Sequence, residues 1–364
     1  MKHTGAYTTE CSNKDKEKGL SIRSCLRYIL SGPYHSGPVL GNTFTLFLPV
    51  FIMSACVPAP ASHTEEDYVS ETSIAVLNDK HTDQDSFDIL TFNNDRMMRL
   101  DSYQHWDTDC SRTVRTFSST GDKIFFAIAN SHRKPYDWAE INSMKGLENL
   151  YMNLEDESRE SPCMTGIAEA KAGSRISIHM KMVMAEIYLR SISCDFTGRG
   201  YEGSAIKDMK VYLTNVCSET SLIQNGRNTP RRYINVGMLN TMDMKGFKEK
   251  DMLMSDIGTM GDKTTIYPGK SLMCYPNNIE PESPGTPHTR LVIEGSIQGR
   301  KYYWPIDINS KDGEGIESGC RYLFDICIRR TGTSDPDTPI RIHESEIKLE
   351  IARWEEKQEY GVRF

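Results

Sequence analysis

The sequence predicts an all-β fold: two tandem β-sandwich domains, residues 71–183 and 184–364, with one short helix. Three observations carry this. Short apolar-alternating runs recur between Gly, Pro, Asn and Asp turns, as sandwich strands do. Helical periodicity occurs in one segment only. Beyond a leader, roughly 300 residues remain, more than one hydrophobic core usually serves. The chain has 364 residues, 38% hydrophobic and 26% charged, so it can build such cores. Its net charge of −7 argues against a dedicated nucleic-acid binder. No apolar run reaches the roughly 18 residues of a membrane-spanning helix.

The first element is a leader. Residues 44–53 read Phe-Thr-Leu-Phe-Leu-Pro-Val-Phe-Ile-Met, the length of a signal-peptide apolar region. Ser54-Ala55-Cys56 follows, the pattern in which a bacterial lipoprotein cysteine is acylated and becomes the new N-terminus. Residues 1–55 are therefore expected to be a signal peptide with an extended basic region (Lys14, Lys16, Lys18, Arg23, Arg27), and Cys56 the lipidation site. The alternative for 44–53 is a buried strand. Residues 56–70, with two prolines and three consecutive acids, are expected to be a polar tether.

Strands then follow in order. Ser73–Leu77 and Phe87–Phe92 are short runs, Asn93-Asn-Asp-Arg is a turn, and Leu100–Tyr103 resumes. Lys123–Asn130 is apolar on both faces, as a central strand would be. Trp138, Ile141, Leu147, Leu150, Tyr151 and Leu154 recur at helical spacing behind Asp137 and Glu140, which resemble a capping box. Alternation resumes over Ser174–Val183, Glu186–Ile192, Lys207–Val216, Arg290–Ile297, Tyr302–Ile308, Arg321–Ile328 and Glu346–Ile351. The domain joint falls near 183–186.

Enzyme signatures are missing: no phosphate loop, no His-Glu-x-x-His and no Gly-x-Ser-x-Gly. Ser-x-x-Lys occurs three times without its partner motifs. Asp307–Ser318 lacks the glycine and glutamate of a calcium loop. Of ten cysteines, seven remain beyond the leader once Cys56 is acylated, an odd number with no Cys-x-x-Cys pair, which indicates neither zinc nor a disulfide framework. The methionines of 238–260 are irregularly spaced and read as gap fillers. His179 reads as a solvated-face residue, and four dispersed tryptophans suit core anchors better than a sugar platform. No catalytic residue, metal or cofactor is expected.

At the C-terminus, Glu346–Trp354 is an alternating strand, Glu355–Gln358 a polar bend, and Tyr360–Phe364 a further β segment. Such an end can complete its own sheet or pair with the open edge of another molecule.

Several strings in this order resemble the fimbrillin-type (type V pilus) subunits of Bacteroidales. They are Leu100–Gln104, Ala127–Asn130 ahead of the helix, Met164–Gly166, Tyr275–Asn277, Thr289–Glu294, Tyr302–Ile306 and Ile328–Asp337, before a terminal Trp354 strand. The resemblance implies transthyretin-like Greek-key sandwiches, lipoprotein export, anchorage in the outer membrane at least transiently through Cys56, and assembly with other fimbrial subunits at the cell surface. It further implies that a protease removes the first strand and that a neighbour's C-terminal strand fills the groove. Here no Lys or Arg lies between Cys56 and Leu77; Lys80 is the first. Lys80 is thus the candidate cut, and Ile347, Leu349, Ile351 and Trp354 the candidate donor residues. A donor end favours a stalk or anchor over a tip. The competing reading is a monomeric glycan-binding surface lipoprotein. No nucleic-acid partner is expected, and the surface ligand stays open.

Overall fold

The computed structural model describes residues 69–77, 86–107, 113–132, 138–223, 232–235, 247, 249–278, 285–308, 315–338 and 347–353. All of them belong to one compact unit, His63–Phe364. The fold is an all-β sandwich fold with a single short α-helix among these residues.

The first group of elements is β1 (Val69–Leu77), β2 (Ser86–Asn93), β3 (Leu100–Asp107), β4 (Thr113–Ser119), β5 (Asp122–Ala129), α1 (Met144–Glu148), β6 (Tyr151–Asn153), β7 (Met164–Lys171), β8 (Arg175–His179) and β9 (Lys181–Met182). A three-stranded sheet, β4-β1-β8, faces a five-stranded one, β3-β2-β5-β7-β9. Ile74, Val76, Val114 and Ile178 from the first meet Phe87, Ile89, Phe125 and Ala127 from the second. The other face of the five-stranded sheet buries Leu90, Phe92, Phe126 and Ile128 with Trp138, Ile141 and Leu147. β5 is thus buried on both faces, as its unbroken apolar run predicts.

The second group is β10 (Ala185–Cys194), β11 (Ile206–Thr214), β12 (Val216–Cys217), β13 (Glu219–Ser221), β14 (Tyr233–Ile234), β15 (Met254–Met260), β16 (Thr265–Ile266), β17 (Lys270–Cys274), β18 (Arg290–Ile297), β19 (Arg300–Asp307), β20 (Cys320–Ile328) and β21 (Ile347–Arg353). One sheet runs β16-β10-β20-β21, with β17 also on β10; another runs β15-β11-β18-β19. Ile187, Leu189, Phe324 and Ile326 of the first share a core with Val211, Leu213, Leu291 and Ile293 of the second. Two short ladders, β12–β14 and β13–β6, complete the set.

Three details differ from expectation. The strand of 69–77 begins inside the segment read as tether, because Val69 and Ser70 already pair with Ser119 and Ser118. The alternating run 174–183 is two strands in different sheets: Met180 donates its N–H to Leu77 O at 3.0 Å while the chain crosses over. The helix is five residues, capped by Ser143, whose hydroxyl accepts from Gly146 N–H, and Glu140 lies in a turn. Asp137 lies outside the described residues. The helical spacing around α1 yields to neighbouring strands: Leu154 N–H donates to Ser218 O at 2.9 Å and Leu222 N–H to Leu150 O at 3.3 Å. Backbone groups used that way cannot close helical turns.

Candidate strand-exchange groove

β1 is the central strand of its sheet. It runs antiparallel to β4, from Val69 opposite Ser119 to Ala75 opposite Thr113. It runs parallel to β8, from Ser73 beside Arg175 to Leu77 beside His179. Alternate residues Thr72, Ile74 and Val76 are buried, the period-two pattern of a half-buried strand. They lie over a floor that includes Phe87, Ile89, Phe125, Ala127, Met164 and Met180. Thr72 is held as well as buried: its hydroxyl accepts from Gly173 N–H at 2.9 Å. Burying Ile74 and Val76 contributes about 1.5–3 kcal/mol each. Removing β1 would therefore open a slot with two unpaired backbone edges and an apolar bottom.

The two walls are anchored differently. β8 carries Ile178, fully buried, and joins β7 through a tight turn in which Ser174 N–H donates to Lys171 O at 3.2 Å. Gly166 of β7 lets β8 approach: a Cβ there would lie 2.5 Å from Ile178 Cγ2 and 2.6 Å from His179 O. β4 is an edge strand whose one ladder partner among the described residues is β1. Of its buried residues Val114, Thr116 and Ser118, only the first is apolar. Side chains from β3 and β5 reach it instead. Asp101 accepts from Ser119 N–H at 2.7 Å and from its hydroxyl at 2.6 Å. Gln104 Nε2 donates to Phe117 O at 3.2 Å, and Thr116 Oγ1 donates to Gln104 Oε1. Lys123, 1% exposed, donates to Ser119 Oγ at 2.7 Å and to Asn93 Oδ1 at 2.5 Å, with Asp101 at 3.3 Å. Burial pushes the Asp101 carboxyl up, but the Ser119 hydrogen bonds and the Lys123 ammonium more than offset this and hold it below its usual range.

The candidate donor strand lies in another sheet. β21 pairs antiparallel with β20, from Ile347 opposite Ile326 to Arg353 opposite Cys320. Ile347 and Leu349 pack on the core, whereas Ile351 is 45% exposed. Arg190 joins Asp325 of β20, at 2.5 Å, and Glu350 of β21, at 3.4 Å. Cys56, Lys80 and Trp354 lie outside the described residues. His179 is exposed, as expected of a solvated face, and Trp138 and Trp304 are buried. Five of the six described cysteines are buried.

The geometry of β1 and its walls can be set beside known proteins. No protein-family model matches the sequence, and no curated protein does. Solved structures do match. A fimbrilin (FimA) from Porphyromonas gingivalis W83 superposes with a TM-score of 0.60 over 78% of this chain and 97% of its own, at 13% identity. A chain from Bacteroides eggerthii assigned to cell adhesion gives 0.57 over 78% and 96%, at 16% identity. The C-terminally truncated tip fimbrial protein Mfa3 from Porphyromonas gingivalis gives 0.50 over 79% and 100%, at 12% identity. The fold is the fimbrillin fold. This chain reaches that fold with only 12–16% identity to those three structures. Sequence reasoning found β1 as a short apolar run and β21 from its alternation. It missed β4, Asp101, Gln104 and Lys123. The only available signal was a lysine directly ahead of an unbroken apolar run.

Proposed function

We propose that this chain is a structural, adhesive subunit of cell-surface fimbriae, exported as a lipoprotein through Cys56 and assembled by strand exchange in a stalk position. One observation carries the reading: β1 is hydrogen-bonded on both edges and buried on one face, yet it is the first strand among the described residues. A single cut after it frees a whole central strand. Lys80 follows β1 directly and supplies the first basic residue for that cut. The incoming strand must run antiparallel to β4 and parallel to β8 and place apolar residues two apart. The C-terminal region offers this spacing twice, at Ile347, Leu349 and Ile351 and at Tyr360, Val362 and Phe364. Restored ladders and apolar burial drive closure, so no catalytic residue is needed. The fimbrillin fold of the solved neighbours supports this reading.

Two sandwich domains meeting near Val183 fit the same picture. β9 ends at Met182, β10 starts at Ala185, and each of the four larger sheets is built from one side of that point. The test of function is deletion of residues 360–364 in a native-type host. Subunits should still be exported and folded, and fibres should be lost or shortened. Normal fibres from the truncated chain would remove this segment as the donor end.

A further inference from the structure

The strand-exchange reading leaves a physical problem that the structure itself answers. When β1 leaves, β4 loses its ladder, and its own apolar burial amounts to little more than Val114. An edge strand so placed would peel away, and the groove would collapse before a new strand arrived. β8 does not share the problem, since Ile178 and the β7–β8 turn hold it to the opposite sheet.

We infer that Asp101 and Gln104 of β3 act as a clasp that keeps β4 standing once β1 has gone, so that the groove stays open for the incoming strand. The inference rests on the strand-exchange reading for its purpose and on the geometry for its mechanism. The clasped residues Thr116, Phe117 and Ser119 are the register partners of Thr72, Glu71 and Val69 on β1. The clasp therefore runs along the wall that β1 vacates. None of its bonds uses an atom of β1. Each belongs to the opposite sheet or to β4, and so survives the departure. Lys123 strengthens it: a buried ammonium fixed between Asn93, Ser119 and Asp101 makes the carboxylate's position costly to change. Asp101 and Gln104 are positioning residues; neither is proposed to touch the reacting bond.

Hydrogen exchange on the intact chain isolates the clasp, because it needs no processing. The Ser119 amide, bonded to Asp101, should exchange at least about tenfold more slowly than the β1 amides, Ser73 among them, since it outlives β1 opening. Exchange of Ser119 together with β1 as one unit would overturn the inference. Assembly then tests its purpose. The double variant Asp101→Ala/Gln104→Ala should yield folded precursor and enter fibres at least about tenfold more slowly than wild type. Asp101→Asn with Gln104 intact should recover most of the rate, because it retains an acceptor for Ser119. Tyr212→Phe, which loses a buried bond to Glu294 far from the groove, serves as the stability control. A double variant that assembles at the wild-type rate, or a control that slows equally, would overturn the clasp. Slow Ser119 exchange together with wild-type fibres that still contain β1 would leave the clasp intact and overturn the strand-exchange reading alone.

Discussion

Tyr275 donates its hydroxyl to Glu157 Oε1 at 2.9 Å, and both side chains are buried. Glu157 Oε2 accepts from Cys163 N–H at 3.1 Å, with His132 Nε2 at 3.8 Å. Next to it, Ser158 and Arg159 both bond the Glu249 carboxylate. The segment after α1 is thereby tied to residues 90 to 118 positions later.

Glu157 sets a pH dependence. Burial pushes its carboxyl up to about 7, against the pull of the Cys163 and Tyr275 hydrogen bonds. A raised carboxyl pKa means the folded state holds the proton more tightly than the unfolded one. Its contribution is therefore fully present below the unfolded value near 4.5 and is lost as pH rises towards 7. The loss is on the order of 3 kcal/mol. Urea melts of wild type and Glu157→Gln at pH 5 and pH 8 should show the wild type losing more stability between the two. Equal slopes would refute this.

Ile74 offers a test that distinguishes β1 in the unprocessed chain from β1 in fibres. Ile74→Ala should destabilise the unprocessed chain by about 2–5 kcal/mol, because the side chain is fully buried over the groove floor. On the strand-exchange reading β1 is absent from assembled subunits, so heat resistance of finished fibres should not change. Precursor melting and fibre dissociation temperatures, measured side by side, check both halves.

Gly166→Ala should push β8 away from β7. The new methyl would lie 2.6 Å from the His179 carbonyl oxygen, a backbone atom that cannot rotate aside. A cost of about 1–3 kcal/mol is expected. Faster exchange of β8 amides, with β20 amides unaffected, would report it.

The thiols should be inert. Burial pushes both Cys194 and Cys274 up to about 12, so neither forms appreciable thiolate at neutral pH. Alkylation of native protein at pH 7.5 should spare both and reach half-buried Cys327 first among the six described cysteines. Labelling of Cys274 without denaturant would contradict the packing.

Strands whose inward residues are large and apolar were readable from alternation alone: Ile187 and Leu189 in β10, and Tyr322, Phe324 and Ile326 in β20. β4 was not, because its buried set of Val114, Thr116 and Ser118 looks polar; Thr116 lies inside by bonding Gln104. β7 escaped for a related reason, since Gly166 leaves its inward face almost bare where β8 approaches. The region of α1 misled in the other direction: helical spacing was present, but tertiary backbone bonds claimed Leu150 and Leu154. At the site, β1 itself was visible as an apolar run. Its central place, parallel to β8, was not, because pairing between segments a hundred residues apart leaves no local period. The clasp joins residues only 12 to 18 positions apart, but it does so between two sheets, which leaves no local period either.

If strand exchange builds the fibre, β1 leaves the subunit and another strand replaces it. Intact-mass and N-terminal analysis of subunits taken from purified fibres of a native-type host tests it most directly. Strand exchange requires chains beginning at His81, or within the few residues after it, with Val69–Leu77 gone, while the unassembled precursor should begin at lipid-bearing Cys56. Fibre subunits that still carry Val69–Leu77 in one continuous chain would contradict it.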